Sequence, residues 1–132
     1  MDLKKVLIVD DDRDYLEELS TALEFEGFKV LTLLDSVDIL EAVKDFKPDV
    51  ILLDLHMYSI DGFRTAAALK DNPYTKHIPI LSMSSYYKPS DHWFVSFDNF
   101  EECLTKGADA KNIATELRRV IARRRPKNSN SG

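Results

Sequence analysis

The stretch KVLIVDDDRD, residues 5–14, runs four aliphatic side chains directly into three carboxylates. The aliphatic residues gain free energy by leaving water, whereas Asp10, Asp11 and Asp12 repel one another and favour solvent. A short run of branched apolar residues that ends in a turn-forming cluster is typical of a strand buried on both faces. The stretch therefore predicts a buried strand whose end carries negative charge in need of compensation.

The length and composition predict one small domain. The chain has 132 residues, of which 44% are apolar and 31% charged, enough for a single hydrophobic core. No apolar run approaches the roughly 18 residues of a membrane span, and no secretory signal precedes the first strand. Cys103 is the only cysteine, which excludes an intrachain disulfide and argues against structural zinc. We therefore expect a cytoplasmic protein.

Strand-like runs recur along the chain. VILLD at 50–54 and IPILSMSS at 78–85 repeat the pattern of the first run, and each ends in polar residues. The predicted strands are approximately 5–10, 29–33, 50–54, 79–84 and 102–105. Because helical segments alternate with them, the pattern favours an α/β sheet of parallel strands with helices on both faces.

The segments between the strands have apolar residues at helical spacing, with capping residues at their ends. Asp12 precedes the first helix, Gly27 follows it as a left-handed stop, and Asp109 precedes the last. The residues with helical spacing are Leu16, Leu19 and Leu23; Val37, Leu40 and Val43; Phe63, Ala66, Ala67 and Lys70; and Ile113, Leu117, Val120 and Ile121.

Polar residues that follow the predicted strands should meet at one edge of the sheet. If the strands are parallel, Asp10, Asp11, Asp54, Ser84 and Lys106 all lie at their carboxyl ends, where α/β sheets bind ligands. Any one of these aspartates could simply end a strand or cap a helix, but the whole set indicates a site. Oxygen ligands without His or Cys suit Mg²⁺, and Mg²⁺ beside an aspartate suits phosphoryl transfer.

These residues, taken in order, resemble the receiver domain of two-component response regulators. VLIVDDD is similar to the family's first strand with its acid pair, and PDVILLDLHM with the later DG is similar to its third strand with the phosphoacceptor. IPILSMSS has Ser84 at the position of the family's hydroxyl residue, and CLTKG has Lys106 at the position of its lysine. The resemblance implies a flavodoxin-like (βα)5 doubly wound sheet of five parallel strands in the order 2-1-3-4-5, with residues 1–125 as the receiver domain and 126–132 as a flexible tail.

The resemblance also implies residue roles. Asp54 would accept a phosphoryl group from a histidine kinase or phosphotransfer protein, assisted by Ser84 and Lys106. Mg²⁺ would be held directly by Asp11 and Asp54, by Asp10 through water, and by the main-chain carbonyl of His56. Asp12 is assigned to the cap of the first helix, where its carboxylate meets unpaired N–H groups. The chain would act as a phosphorylation switch and not as an enzyme on another substrate.

Several positions depart from the usual pattern of the family. Tyr58 stands where the family frequently has a proline, and Gly107 replaces the proline that commonly follows the lysine. Cys103, three residues before the lysine, replaces the family's aromatic switch residue. We expect the Lys106–Gly107 peptide to be trans, because a cis bond without proline costs about 2.5–4 kcal/mol. A small buried cysteine that only packs is the simplest interpretation of Cys103.

The expected partners are proteins. The segment between Ser84 and Glu102 is rich in aromatic residues, so we expect this fourth helix, with the fifth strand and fifth helix, to dock a downstream target or a second copy of the chain. The basic C-terminal end, six cations with no acid over residues 118–132, is interpreted as a solvated helix end, and a nucleic-acid partner is not expected.

Two alternatives stay open. A degenerate receiver that binds partners without phosphorylation is favoured by Tyr58, Cys103 and Gly107, and opposed by the complete acid, serine and lysine set. A phosphatase resembling the haloacid dehalogenase group would also use an aspartate nucleophile and Mg²⁺. That group has a second aspartate two residues after the nucleophile, where this chain has His56.

Overall fold

The computed structural model describes residues 2–55, 62–84 and 99–123. Four sequence-based predictions fall outside these ranges: the metal-binding carbonyl of His56, the loop path at Tyr58, the aromatic helix within 85–98, and the flexible tail at 126–132.

Five strands and four helices make up the described part of the chain. They are β1 (Lys4–Val9), α1 (Arg13–Phe25), β2 (Phe28–Leu33), α2 (Ile39–Phe46), β3 (Val50–Asp54), α3 (Gly62–Asp71), β4 (Ile80–Ser84), β5 (Glu102–Thr105) and α4 (Ala110–Arg123). The five strands agree with the predicted ranges to within one or two residues. Because 85–98 is not described, the last helix of the sequence prediction is α4 here.

The strands form one parallel sheet in the order β2-β1-β3-β4-β5, which confirms the predicted topology. β1 lies between β2 and β3, with Val6 opposite both Val30 and Val50. The apolar run of β1 is therefore central and fully enclosed, and Val6 to Val9 have no exposed surface. This order places the switch point beside the carboxyl end of β1, where a ligand site is expected.

Two hydrophobic layers cover the sheet, one on each face. Alternate strand residues such as Ile8 and Leu52 pack against α1 and α4. Their neighbours, such as Leu7 and Ile51, pack against α2 and α3. The period-two alternation of side chains in a strand produces this division. Helices lie on both faces, as predicted. Among the described helices, none is long and apolar enough to cross a bilayer.

The start of α1 agrees with its predicted cap, whereas the buried residues predicted for the second helix need a correction. Asp12 is the N-cap of α1, and its side chain accepts a hydrogen bond from the Tyr15 N–H at 3.1 Å. The second helix was expected to bury Val37, Leu40 and Val43. The structure starts α2 at Ile39 and buries Ile39 and Val43, while Val37 is 70% exposed. Val37 instead lies in the turn before the helix, where its N–H is bound by the Asp35 side chain.

Candidate functional site

The carboxyl edge of the sheet gathers the polar residues that the sequence singled out. Asp10 directly follows β1 and is fixed there by its N–H, which donates to the Leu33 carbonyl at 3.1 Å. Asp54 and Ser84 are the last residues of β3 and β4. Lys106 follows β5, and its N–H donates to the Ser84 carbonyl at 2.7 Å. Parallel pairing thus brings four strand ends to one place.

Three carboxylates converge at this edge. One oxygen each from Asp10, Asp11 and Asp54 lies within 4.8 Å of the others. Asp10 and Asp54 are buried, at 0% and 3% exposure, whereas Asp11 is accessible to solvent. Buried carboxylates this close repel one another strongly unless a cation lies between them.

The carboxylate cluster fits a hard divalent cation. Asp10 Oδ2 is buried and, among the described residues, has no hydrogen bond of acceptable geometry. Besides its ion pair with the Lys106 ammonium, 2.9 Å away, it therefore has a lone pair that a second cation could use. A set of three carboxylate oxygens without His or Cys suits Mg²⁺ better than Zn²⁺. The residues that the structure brings together are thus able to hold the predicted ion.

Lys106 is the cation of the described site. Its Nζ lies 2.9 Å from Asp10 Oδ2, donates to Oδ1 at 3.0 Å, and lies 3.9 Å from Asp54 Oδ2. Burial alone would lower the pKa of Lys106, but the hydrogen bond and negative charge of Asp10, together with the charge of Asp54, raise it overall. The side chain is therefore a permanent ammonium that bridges the two buried acids.

Asp12 is separated from this cluster by its role at the helix. Its N–H donates to Asp10 Oδ1 at 2.9 Å, while its own carboxylate turns toward the first turn of α1. Because that carboxylate caps orphan N–H groups, it has a use that needs no metal. The backbone of Asp12 helps to orient Asp10, and the side chain starts the helix.

Sequence reasoning missed Tyr15. Lys106 Nζ lies 4.8 Å from the centre of the Tyr15 ring. The Tyr15 hydroxyl accepts a hydrogen bond from the Gly107 N–H at 3.4 Å and lies 3.7 Å from Met83 Sδ. Burial raises the pKa of this phenol, and the charge of Asp10 adds to the effect, so the ring stays neutral. The position of Tyr15 in α1 does not predict its contacts with Lys106 and Gly107.

Gly62 is the glycine of the DG pair that follows the third strand, and its local structure explains why a glycine stands there. Gly62 is the first residue of α3 and lies against the end of β3. A Cβ at this position would overlap the Asp54 carbonyl oxygen and come within 2.8 Å of the Leu55 Cα. The glycine therefore permits the helix to start directly beside the backbone of the central aspartate.

Two of the departures from the family pattern, Cys103 within β5 and Gly107 after it, have structural consequences. No peptide bond in the described ranges is cis, so Lys106–Gly107 is trans as expected. Gly107 has φ +96°, a conformation closed to proline, whose ring fixes φ near −65°. The loop therefore follows a path that the usual proline could not adopt. Cys103 is exposed, so the expectation of a buried cysteine is wrong: side chains alternate between the two faces of a strand, and Leu104, not Cys103, packs against the layer of α1 and α4.

Comparison with known proteins identifies the family and supports the fold. The family model described as the response regulator receiver domain matches residues 6–118. Protein RcaC of Microchaete diplosiphon is 34% identical over 122 residues, which are 89% of this chain and 19% of RcaC. The chain thus spans about a fifth of that longer relative.

Two solved structures have the same fold. The chemotaxis response regulator CheY4 of Vibrio cholerae superposes with a TM-score of 0.80 at 26% identity, over 90% of this chain and 99% of that one. TrrA of Thermotoga maritima, solved with Mg(2+)-BeF, has a TM-score of 0.78 at 21% identity over 89% of this chain and 99% of that one. At that identity, TrrA supports the fold alone.

Proposed function

Because the chain belongs to the response regulator receiver domain family, we propose that it is a phosphorylation switch in which Asp54 accepts a phosphoryl group from a histidine kinase or phosphotransfer protein. The observation that carries the proposal is the convergence of Asp10, Asp11 and Asp54 within 4.8 Å, with the Lys106 ammonium in contact with Asp10. A structural ion pair with Lys106 would need only one carboxylate, whereas a phosphoryl-transfer site needs further carboxylates, as nucleophile and as metal ligands.

Asp54 is the nucleophile. One of its carboxylate oxygens attacks phosphorus, a P–O bond forms, and the bond from phosphorus to the donor breaks with its electron pair leaving on the donor. Asp54 is buried at the end of a rigid central strand, so the attacking oxygen is held in place before the reaction. Pre-positioning of this kind is the main source of catalysis in phosphoryl transfer.

Lys106 and Ser84 are assigned to the phosphoryl oxygens. Lys106 Nζ is already 3.9 Å from Asp54 Oδ2, so a small rotation of its stem brings the ammonium to a phosphoryl group there. Ser84 ends the strand next to β3 and is hydrogen-bonded through its carbonyl to the Lys106 N–H. Its hydroxyl is proposed to donate to a second phosphoryl oxygen.

The metal ligands are assigned to Asp10, Asp11, Asp54 and the main-chain carbonyl of His56. When bound, Mg²⁺ would neutralise charge on the transferring group and on the crowded carboxylates. The solvent-accessible Asp11 leaves room for water ligands, which Mg²⁺ retains in most protein sites.

Phosphorylation would be read by another protein. A phosphoryl group on Asp54 adds negative charge beside Lys106 and Ser84, and the new contacts favour one arrangement of the loops around them. The proposed readout surface comprises the aromatic segment before residue 99, β5 and α4. A second copy of the chain is an alternative occupant of that surface.

The test is direct modification of the full chain. Incubation with Mg²⁺ and acetyl phosphate should add one phosphoryl group, found by intact-mass spectrometry and mapped to Asp54 by peptide sequencing. Asp54→Ala should abolish the adduct, and chelation of Mg²⁺ should prevent it in the wild type. An unmodified wild-type chain under conditions that label a known receiver domain would contradict the proposal.

A degenerate receiver is the second candidate. The observations that favour it are the trans path at Gly107 and the exposed Cys103, since both alter the region that normally reports phosphorylation. A target protein that binds the wild type and Asp54→Ala with equal affinity, with or without phosphorylation, would establish this alternative.

A further inference from the structure

To serve a phosphoryl group on Asp54, the Lys106 ammonium needs a contact that does not tie it to Asp10. Lysine has a flexible four-carbon stem and a compact ammonium, so it loses considerable rotamer freedom when fixed. Asp10 attracts the ammonium with both of its oxygens, at 2.9 and 3.0 Å. Left to that attraction alone, Lys106 would remain with Asp10 rather than serve a phosphoryl group on Asp54.

Tyr15 offers the ammonium a different surface. The ring centre is 4.8 Å from Lys106 Nζ, which is within the range of a cation–π interaction. The ring face attracts the cation without accepting a directed hydrogen bond, so the ammonium can turn between Asp10 and Asp54 while it remains over the ring. A half-buried ring also excludes water from one side of the stem.

The Tyr15 hydroxyl is anchored to the same loop. It accepts the Gly107 N–H at 3.4 Å and lies 3.7 Å from Met83 Sδ. A proline after the lysine would have no N–H to give. The glycine in this chain therefore creates a donor, and the tyrosine accepts from it. The Tyr15 ring thus contacts Lys106, and the Tyr15 hydroxyl contacts the next residue, Gly107.

From these contacts we infer that Tyr15 is a positioning residue for phosphoryl transfer, which holds Lys106 through its ring and the following loop through its hydroxyl. The inference rests on the proposed function, because it takes Asp54 as the acceptor. Tyr15 itself does not touch the reacting atoms. It replaces part of the support that a proline after the lysine would give to the loop.

The experiment is a double-mutant cycle on the rate of phosphorylation. With saturating Mg²⁺ and acetyl phosphate, Tyr15→Leu should slow modification of Asp54 by about two- to fivefold, the effect of a cation–π contact at a partly exposed site. Tyr15→Phe keeps the ring but loses the hydrogen bond from the Gly107 N–H, so its rate should fall by no more than about twofold and stay above that of Tyr15→Leu. The double variant Tyr15→Leu/Lys106→Met should be no slower than Lys106→Met alone, because Tyr15 acts through Lys106.

A second readout does not depend on phosphorylation. Protons above an aromatic ring are shifted upfield, so the Lys106 ε-methylene protons should be shifted upfield in the NMR spectrum of the wild type and of Tyr15→Phe. In Tyr15→Leu the shift should disappear. If the wild type is not phosphorylated, the proposed function fails while this measurement still decides whether Tyr15 holds Lys106.

The chain contains a matched control. Lys44 Nζ lies 5.6 Å from the centre of the Tyr74 ring, a similar pair near the amino ends of the strands. Tyr74→Leu should leave the phosphorylation rate unchanged. Additive effects of Tyr15→Leu and Lys106→Met, a wild-type rate in Tyr15→Leu, or the absence of an upfield shift in the wild type would each overturn the inference.

Discussion

Gly62→Ala should disrupt the site through its backbone rather than its side chains. The new Cβ would overlap the Asp54 carbonyl oxygen and lie 2.8 Å from the Leu55 Cα, whereas ordinary contacts begin at 3.4 Å. The end of β3 and the start of α3 must therefore separate by about 0.6 Å or more. Overpacking of this kind typically costs about 1–3 kcal/mol, a substantial part of the roughly 5–15 kcal/mol that stabilises a domain.

The displaced backbone carries Asp54, so function should fall together with stability. A misplacement near 1 Å in a reacting group can cost about a hundredfold in rate, and we expect Gly62→Ala to lower the phosphorylation rate at least about tenfold. Urea unfolding gives the free-energy change, and phosphorylation by acetyl phosphate gives the rate.

Gly27 supplies the control for this substitution. It has φ +100° and no atom within 4 Å of an added Cβ, and it lies in the turn between α1 and β2. Gly27→Ala should cost about 1–2 kcal/mol from the left-handed backbone alone, with an unchanged phosphorylation rate. Wild-type stability and rate in Gly62→Ala would refute the steric argument.

Three further predictions follow from single contacts. Asp12→Ala should cost about 1 kcal/mol of unfolding free energy through loss of the α1 cap, with Mg²⁺ affinity by calorimetry unchanged; a large loss of affinity would make Asp12 a ligand. Gly107→Ala should cost about 1–2 kcal/mol because φ is +96°, measured by urea unfolding, and a neutral result would contradict the assigned conformation. Because the pKa of Lys106 is raised in the folded state, the contribution of its charge to the free energy of unfolding is complete below about pH 10.4 and is lost as pH rises through the folded pKa. Urea unfolding in EDTA should show this loss, and Lys106→Met should show less of it.

The fold was largely predictable because its signals are local. The apolar run of β1 has no exposed surface, as expected of a strand covered on both faces. The helix rhythm around α2 was misjudged. A spacing of three residues links Val37, Leu40 and Val43, and burial is confirmed for Val43. Only packing against β1 and β3 selects Ile39 in place of Val37 and Leu40.

The candidate site was predictable in its parts. Parallel strands end at one edge, so the residues after β1 and within β3 had to approach one another. The chemical roles assigned to all of these site residues stay predictions, including the phosphoacceptor role of Asp54 and the phosphoryl contacts of Ser84 and Lys106. His56 lies outside the described residues. The exposed Cys103 contradicted its expected burial, because the residue type alone does not show which strand positions the packed helices cover.

The sequence by itself determined the strand order through the family resemblance, and it also specified which acids meet and which aspartate caps α1. The meeting of the acids and the helix cap follow from short-range patterns of hydrophobicity, charge and capping, whereas the strand order was implied by the resemblance alone. Only the tertiary structure decided that Tyr15 supports Lys106 and Gly107, and that Gly62 must lack a side chain beside Asp54. Tyr15 and Gly107 are 92 residues apart in the chain, and a contact of that range exists only once α1 and the loop after β5 are packed at the same end of the sheet.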